Sequence, residues 1–267
     1  MRCFWQRYDG GGSMIRETYT TDEEYIESKM KQFKLVDRRE CFRDLVLEAE
    51  ESSMGYMEFL KRLIAAEESG KRNRRTIKLR TEAQFESEKH LEDIDYGFNH
   101  TLDRDKITEL GRLDFIGVNE NIIIIGPPGV GKSMIATGIG MNAVNAGYKV
   151  LFVNAKEFED RLHEKMLEGK LRDTLDELNK IPLLIVDELS YVKMDRERES
   201  LFFQVIRQRY EKNSLIITTN LPMGRWDELF TGKLAATAIL DRLVHHCHIL
   251  SITGDSYRVK GPKNSVK

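Results

Sequence analysis

The chain has 267 residues, 40% of them hydrophobic, with a formal net charge of −2. That suits one medium domain with an appendage or two small ones, and it excludes a protein that is basic over its whole surface. No apolar run approaches the roughly 18 residues a membrane span needs, and the polar first residues do not resemble a signal peptide, so a cytoplasmic protein without membrane contact is expected. Cys3, Cys41 and Cys247 are far apart and lack C-x-x-C spacing, which argues against a disulfide framework or a zinc module.

Residues 1–13 read MRCFWQRYDGGGS and are followed directly by a second methionine, Met14. This is the pattern of a tag and linker and is expected to lie outside the fold. Thr21-x-x-Glu24 has capping-box form, and Ile26, Met30 and Phe33 then recur at helical spacing. Phe42, Leu45, Val46 and Ala49 repeat the pattern, and after Ser52-Ser53 a third stripe carries Tyr56, Met57, Leu60, Leu63 and Ile64. A small helical domain over residues 14–80 is expected, its stripes packed mostly on one another. At its end Lys71, Arg72, Arg74, Arg75, Lys78 and Arg80 come with no acid among them, and an acidic stretch follows. Such a run reads either as a solvated helix face joining two domains or as a stripe that contacts the phosphates of duplex DNA.

From residue 81 onward a second domain is expected. Leu91 to Phe98 reads as a linker laid on it, and Asp103 as the cap of a helix carrying Ile107, Leu110 and Leu113. Four isoleucines, Ile122 to Ile125, are β-branched and too few for a helix, so they read as a buried parallel strand. Strands at 150–153, 183–186, 215–217 and 249–252 then alternate with helices marked by Ile135 and Ile139, by Phe158, Leu162 and Met166, and by Leu201, Phe202, Val205 and Ile206. Repeated βα units imply an α/β fold: a parallel sheet of five strands with helices on both faces, with ligands at the carboxyl ends of the strands.

The first of those strand ends carries Gly126-Pro127-Pro128-Gly129-Val130-Gly131-Lys132-Ser133, which fits G-x-x-x-x-G-K-[S/T] at every position. In that motif glycines let backbone N–H groups cradle phosphate oxygens, the lysine reaches the β and γ phosphates, and the hydroxyl ligates Mg²⁺ at the start of the next helix. ATP with Mg²⁺ is the expected cofactor pair, contacted by the loop and by Met134 beyond it. Asp187 and Glu188 end an apolar strand downstream, where Asp187 can hold the metal's water shell and Glu188 can polarise an attacking water. Asn220 ends the next strand, where an amide could fix the same water. Arg242 and Arg258 carry the always-charged planar fork that suits transition-state phosphate and that a neighbouring subunit can supply, although taken singly each arginine is more often a surface ion pair. His245, His246, Cys247 and His248 would alternate faces on a strand, so at most half of them could converge and no metal centre is expected there.

Taken together, GPPGVGKS, LLIVDELSY, RQRYEKNSLIITTN, Trp226, ILDRLVHH and GDSYR, with YMEFLKRL upstream, resemble the IstB-type transposition helper ATPases. These are kin of the DnaC-type helicase loaders among the AAA+ proteins, and the likeness runs from about Leu35 to Arg258. The resemblance implies an AAA+ fold behind an N-terminal helical domain, ATP-dependent self-association on DNA, and delivery of that DNA to a partner transposase. It makes Asn220 a sensor, Arg242 a finger acting in trans and Arg258 a second sensor arginine. Ser133-Met134 stand where the family usually has Thr-His, and Gly232 where it tends to have an acid. Little chain follows Arg258, so no C-terminal helical lid is expected. A helicase loader and an ATP-gated DNA scaffold remain the alternative functions.

Overall fold

The computed structural model describes residues 4–8, 14–18, 21–189 and 194–260. The chain forms two compact units, Met1–Arg75 and Thr76–Lys267. The segment expected to lie outside the fold contributes a strand: β1 (Phe4–Tyr8) pairs antiparallel with β2 (Met14–Thr18). The Gly-Gly-Gly-Ser stretch between them falls outside the described residues.

In the first unit α1 (Asp22–Gln32) starts at the expected cap, the Thr21 hydroxyl accepting from the Glu24 N–H at 3.2 Å. Next come α2 (Val36–Glu51) and α3 (Tyr56–Ala83), the last of which runs past Arg75 into the second unit, with Met30, Phe42 and Leu63 as their buried centre. The third stripe corrects the sequence reading. Tyr56, Met57, Leu60 and Ile64 are exposed, as is Phe33 on α1, and α3 turns its Phe59 and Leu63 side inward instead. A helix with apolar residues on two faces can bury either one, and periodicity alone does not choose. The basic run is helical, as the reading of it as a helix face requires, since α3 continues through it to Ala83.

The second unit is built on an all-parallel sheet in the order β4-β5-β6-β3-β7. Its strands are β3 (Asn121–Ile125), β4 (Val150–Asn154), β5 (Leu183–Asp187), β6 (Ser214–Thr219) and β7 (Cys247–Ser251). Alternate residues serve two cores. Ile122 and Ile124 of β3 and Leu183 and Ile185 of β5 face one layer, while Ile123, Leu184 and Val186 face the other. The first layer holds α4 (Arg104–Leu110), capped by Asp103 as expected, α5 (Asp114–Gly117) and α6 (Lys132–Asn145), with Leu91 of the short turn before them. The second holds α7 (Ala155–Leu167), α8 (Leu171–Leu178), α9 (Arg196–Arg209) and α10 (Lys233–Val244). A last short helix, α11 (Tyr257–Lys260), follows β7. None of the described helices is long and apolar enough to cross a membrane.

Arg209 fastens this second layer to the sheet. It is buried, and its guanidinium donates to the carbonyls of Leu178 at 2.8 Å, Ile181 at 3.0 Å and Ser214 at 2.7 Å, joining the end of α8 to the starts of β5 and β6. Burial pulls its pKa down to about 10.

Candidate nucleotide-binding site

The loop from Gly126 to Gly131 leaves β3 at its carboxyl end and enters α6, as its sequence requires. Gly129 and Gly131 have φ of 80° and 101°, the left-handed region that side chains resist. The loop is pinned from both sides. The Gly126 N–H donates to the Thr219 carbonyl at 3.1 Å, and the Tyr257 N–H donates to the Gly129 carbonyl at 2.9 Å. A Cβ on Gly126 would stand 2.4 Å from the Ile252 carbonyl oxygen, and one on Gly129 would stand 2.1 Å from Ser256 Oγ. No side chain caps the N-terminus of α6. Its first N–H groups and the positive end of its dipole are therefore directed at the loop, an arrangement that suits a phosphate.

Lys132 is buried, and its Nζ donates to the carbonyls of Gly126 at 2.8 Å and Pro127 at 2.9 Å and to Asn220 Oδ1. Desolvation lowers its pKa, opposed by the charges of Asp187 and Glu188, while Arg258 pushes the same way as burial. The loop lysine, both acids, the strand-end asparagine and Arg258 are thus brought to one place. Arg258 reaches it because α11 docks on the loop through Tyr257, whose ring also meets Phe98 edge-on at 4.8 Å.

Strand order explains the convergence. β6 lies between β3 and β5, so the ends carrying Lys132, Asn220 and Asp187 are neighbours. One residue beyond the register pair Val186 and Ile217, Thr218 stands opposite Asp187. The fully buried Thr218 hydroxyl donates to Asp187 Oδ1 and accepts from the Glu188 N–H at 2.9 Å. Glu188 itself has φ of 60°, a left-handed conformation unusual for a residue with a side chain. Asn154, at the end of β4, reaches Glu188 Oε2 at 3.4 Å while capping α7. Downstream, the buried Trp226 donates its indole N–H to the Leu221 carbonyl at 3.2 Å, fixing the turn after Asn220.

Thr218 and Asn154 escaped the sequence reading because their roles depend on strand register; only the polar ends of two apolar strands hinted at them. Glu86 also escaped it. Burial, then Asp187, Glu188 and Glu157, raise its carboxyl pKa, so it shares the negative field of the site.

Arg242 is not brought to the loop of its own chain. It sits near the end of α10, which leads into the start of β7 and so lies toward the opposite edge of the sheet. There its Nη1 donates to the Ala238 carbonyl at 2.7 Å and its guanidinium stacks over Phe203 at 5.0 Å. The basic run makes ion pairs with nearby acids. Lys71, Arg72 and Lys78 each pair with an acid one turn away, and Arg80 pairs with Glu88 at 3.3 Å. Arg74 binds Asp37 of α2 beside Gly70, where an added Cβ would lie 1.8 Å from Asp37 Cγ. Lys71, Arg75 and Lys78 fall on one face of α3 by their i, i+4, i+7 spacing, whereas Arg80 does not.

The expected cofactors fit these residues. A helix start with no side-chain cap, a cradle that a Cβ would fill and a buried ammonium held by neutral acceptors suit a polyphosphate. The Ser133 hydroxyl in the first turn of α6 and the Asp187 carboxylate supply the hard oxygen donors that Mg²⁺ prefers.

The chain matches the family model described as IstB-like ATP binding protein over residues 28–265. It is 37% identical over 235 residues to the ATP-binding protein of insertion sequence IS21 from Pseudomonas aeruginosa, covering 88% of this chain and 89% of that one. To the corresponding protein of IS5376 from Geobacillus stearothermophilus it is 38% identical, covering 78% and 83%. Among solved structures it is similar to DnaI, with a TM-score of 0.52 and 21% identity over 63% of this chain and 89% of that one. It is also similar to AMPPCP-bound DnaA from Aquifex aeolicus, with a TM-score of 0.53 and 18% identity over 62% and 50%. At such identities these two likenesses speak for the P-loop AAA+ fold alone. The loop, the paired acids and the match along nearly the whole chain agree: this protein belongs to the IstB-like ATP-binding proteins.

Proposed function

We propose that the chain is a cytoplasmic, Mg²⁺-dependent ATPase that self-associates on duplex DNA and delivers or remodels that DNA for a partner transposase. The observation that carries this reading is the meeting of Lys132, Asn220, Asp187 and Glu188 at adjacent strand ends, with Thr218 bridging the two acids. The relatives the chain resembles are insertion-sequence proteins, which favours transposition over helicase loading.

In this mechanism Lys132 exchanges its carbonyl partners for phosphate oxygens, and the backbone of Gly126 to Ser133 encloses the phosphate chain. Bound Mg²⁺ supplies charge neutralisation of the β and γ phosphates, and Ser133 and Asp187 would hold it. Glu188 accepts the proton of the attacking water, Asn220 orients that water, and Arg258 stabilises phosphate charge from the same chain. Arg242, which faces away from its own loop, acts on a neighbouring subunit. Residues 14–80 form the helical domain, and the face of α3 with Lys71, Arg75 and Lys78 contacts DNA phosphates. The ATPase domain occupies residues 81–267.

Mixing tests this. Lys132→Ala and Arg242→Ala proteins should each lose most DNA-stimulated hydrolysis, since such arginines are worth roughly 10³ to 10⁵ in rate. Combined, they should recover part of it at interfaces that join one intact loop to one intact arginine. Hydrolysis undiminished in Lys132→Ala would overturn the site, and no recovery despite proven co-assembly would overturn the action in trans.

A further inference from the structure

The sequence reading set aside the His-His-Cys-His run because strand neighbours alternate faces. The structure removes that reason for the first two. His245 is the C-cap of α10, and His246 precedes β7, which begins at Cys247. Both can therefore turn the same way, toward Glu211 in the turn after α9. His245 Nδ1 lies 4.0 Å and His246 Nε2 3.9 Å from the same oxygen, Glu211 Oε1. The three ligand atoms all lie within 4.8 Å of one another.

We propose that Glu211, His245 and His246 form a site for a divalent transition-metal ion of the zinc class, separate from the nucleotide site. Two imidazoles and one carboxylate are a donor set that zinc takes when a fourth position is left to water. Donors on a tetrahedral ion with bonds of about 2.0–2.1 Å stand roughly 3.3 Å apart. Closing from separations of 3.9 Å to at most 4.8 Å asks for side-chain rotations in three exposed residues. The surroundings are prepared for it. The Tyr210 hydroxyl lies 3.0 Å from His245 Nδ1 and also interacts with the Glu211 carboxylate, so when the imidazole takes the metal the hydroxyl can orient the carboxylate from outside. The Glu211 carbonyl accepts from Asn119 Nδ2 at 3.2 Å, holding a turn in which Glu211 has φ of 58°. The two neighbours in the run are otherwise engaged: His248 binds Glu120 at 2.7 Å, and the Cys247 thiol donates to the His248 carbonyl at 3.5 Å. An ion here would tie the end of α10, one turn beyond Arg242, to the turn after α9.

Cobalt(II) is the probe, added to chelator-stripped full chain with millimolar Mg²⁺ present to occupy hard-oxygen sites. One equivalent should give the visible bands of a four- or five-coordinate cobalt without sulfur charge-transfer bands, and one equivalent of Zn²⁺ should bleach them. His246→Ala and Glu211→Gln should each weaken Zn²⁺ binding by titration calorimetry at least tenfold, given that even outer-shell partners are worth roughly 10- to 100-fold. His248→Ala should leave it unchanged. Only featureless, octahedral cobalt absorption, or Zn²⁺ affinity equal in wild type and His246→Ala, would overturn the proposal and leave the cluster as a pair of histidine–glutamate contacts.

Discussion

Replacing Thr218 by valine keeps the shape of a fully buried side chain and deletes the hydroxyl that serves both acids of the site. Asp187, itself buried, loses a donor to its carboxylate, a bond to a charged group worth about 1.5–3 kcal/mol. The Glu188 N–H loses its acceptor, and an orphaned amide costs about 1–3 kcal/mol. The two losses share one atom and are not additive, so a fall of about 2–4 kcal/mol in unfolding free energy is expected from urea titration. Glu188 is held in a left-handed conformation partly by that N–H bond, so its carboxylate should drift. A misplacement of about 1 Å costs roughly 10²-fold in rate, and kcat for ATP should fall accordingly while ATP affinity changes much less. Thr218→Ser, which restores the hydroxyl, should recover most of both quantities. Loss of less than about 0.5 kcal/mol in Thr218→Val with an unchanged kcat would refute the bridging role.

Glu159 is buried, its Oε2 finds no hydrogen-bond partner among the described residues, and burial raises its pKa from 4.5 to about 7. The fold therefore favours its neutral form, so wild type should lose up to about 3 kcal/mol as pH rises from 4.5 to 7, and Glu159→Gln should flatten that decline in urea titrations across the range. A variant with the wild-type pH dependence would place the titration elsewhere. Arg209→Met removes the donors to the carbonyls of Leu178, Ile181 and Ser214 and should cost about 3–5 kcal/mol in thermal or chemical unfolding. Arg209→Lys should rescue little of this, because one ammonium cannot span three carbonyls in the plane of a fork. On α3, Lys71, Arg75 and Lys78 replaced together by Gln should flatten the slope of log DNA affinity against log salt by about 0.9 per lost phosphate contact. Parallel lines would mean that those charges do not contact phosphate.

Where the sequence was legible, the information was local. The isoleucine strand, the glycine loop and the caps at Thr21 and Asp103 are each specified by a few consecutive residues, and the structure has all of them. Asp187 and Asn220 were legible because strand ends in an alternating βα chain share one edge of the sheet. What remained hidden depends on pairing at a distance. Thr218 looks like any β-branched residue until the β5–β6 register sets it opposite Asp187. The inward face of α3 was missed for a related reason: Met57, Leu60 and Ile64 make as good a stripe as Phe59 and Leu63, and only the positions of α1 and α2 decide between them. At His245 and His246 the error was a boundary, with a helix end read as a strand.

The hold of Lys132 on Asn220 has a further consequence. An ammonium already satisfied by two carbonyls and an amide oxygen does not wait bare for its ligand; phosphate must displace those partners, so the binding free energy is that of an exchange and is smaller than the new contacts alone imply. The displaced amide oxygen belongs to the residue proposed to orient water. Arrival of the phosphate chain therefore breaks the contact between Lys132 and Asn220. Lys132 and Asn220 are thereby coupled: a substitution at either one alters the contact that an incoming phosphate must displace.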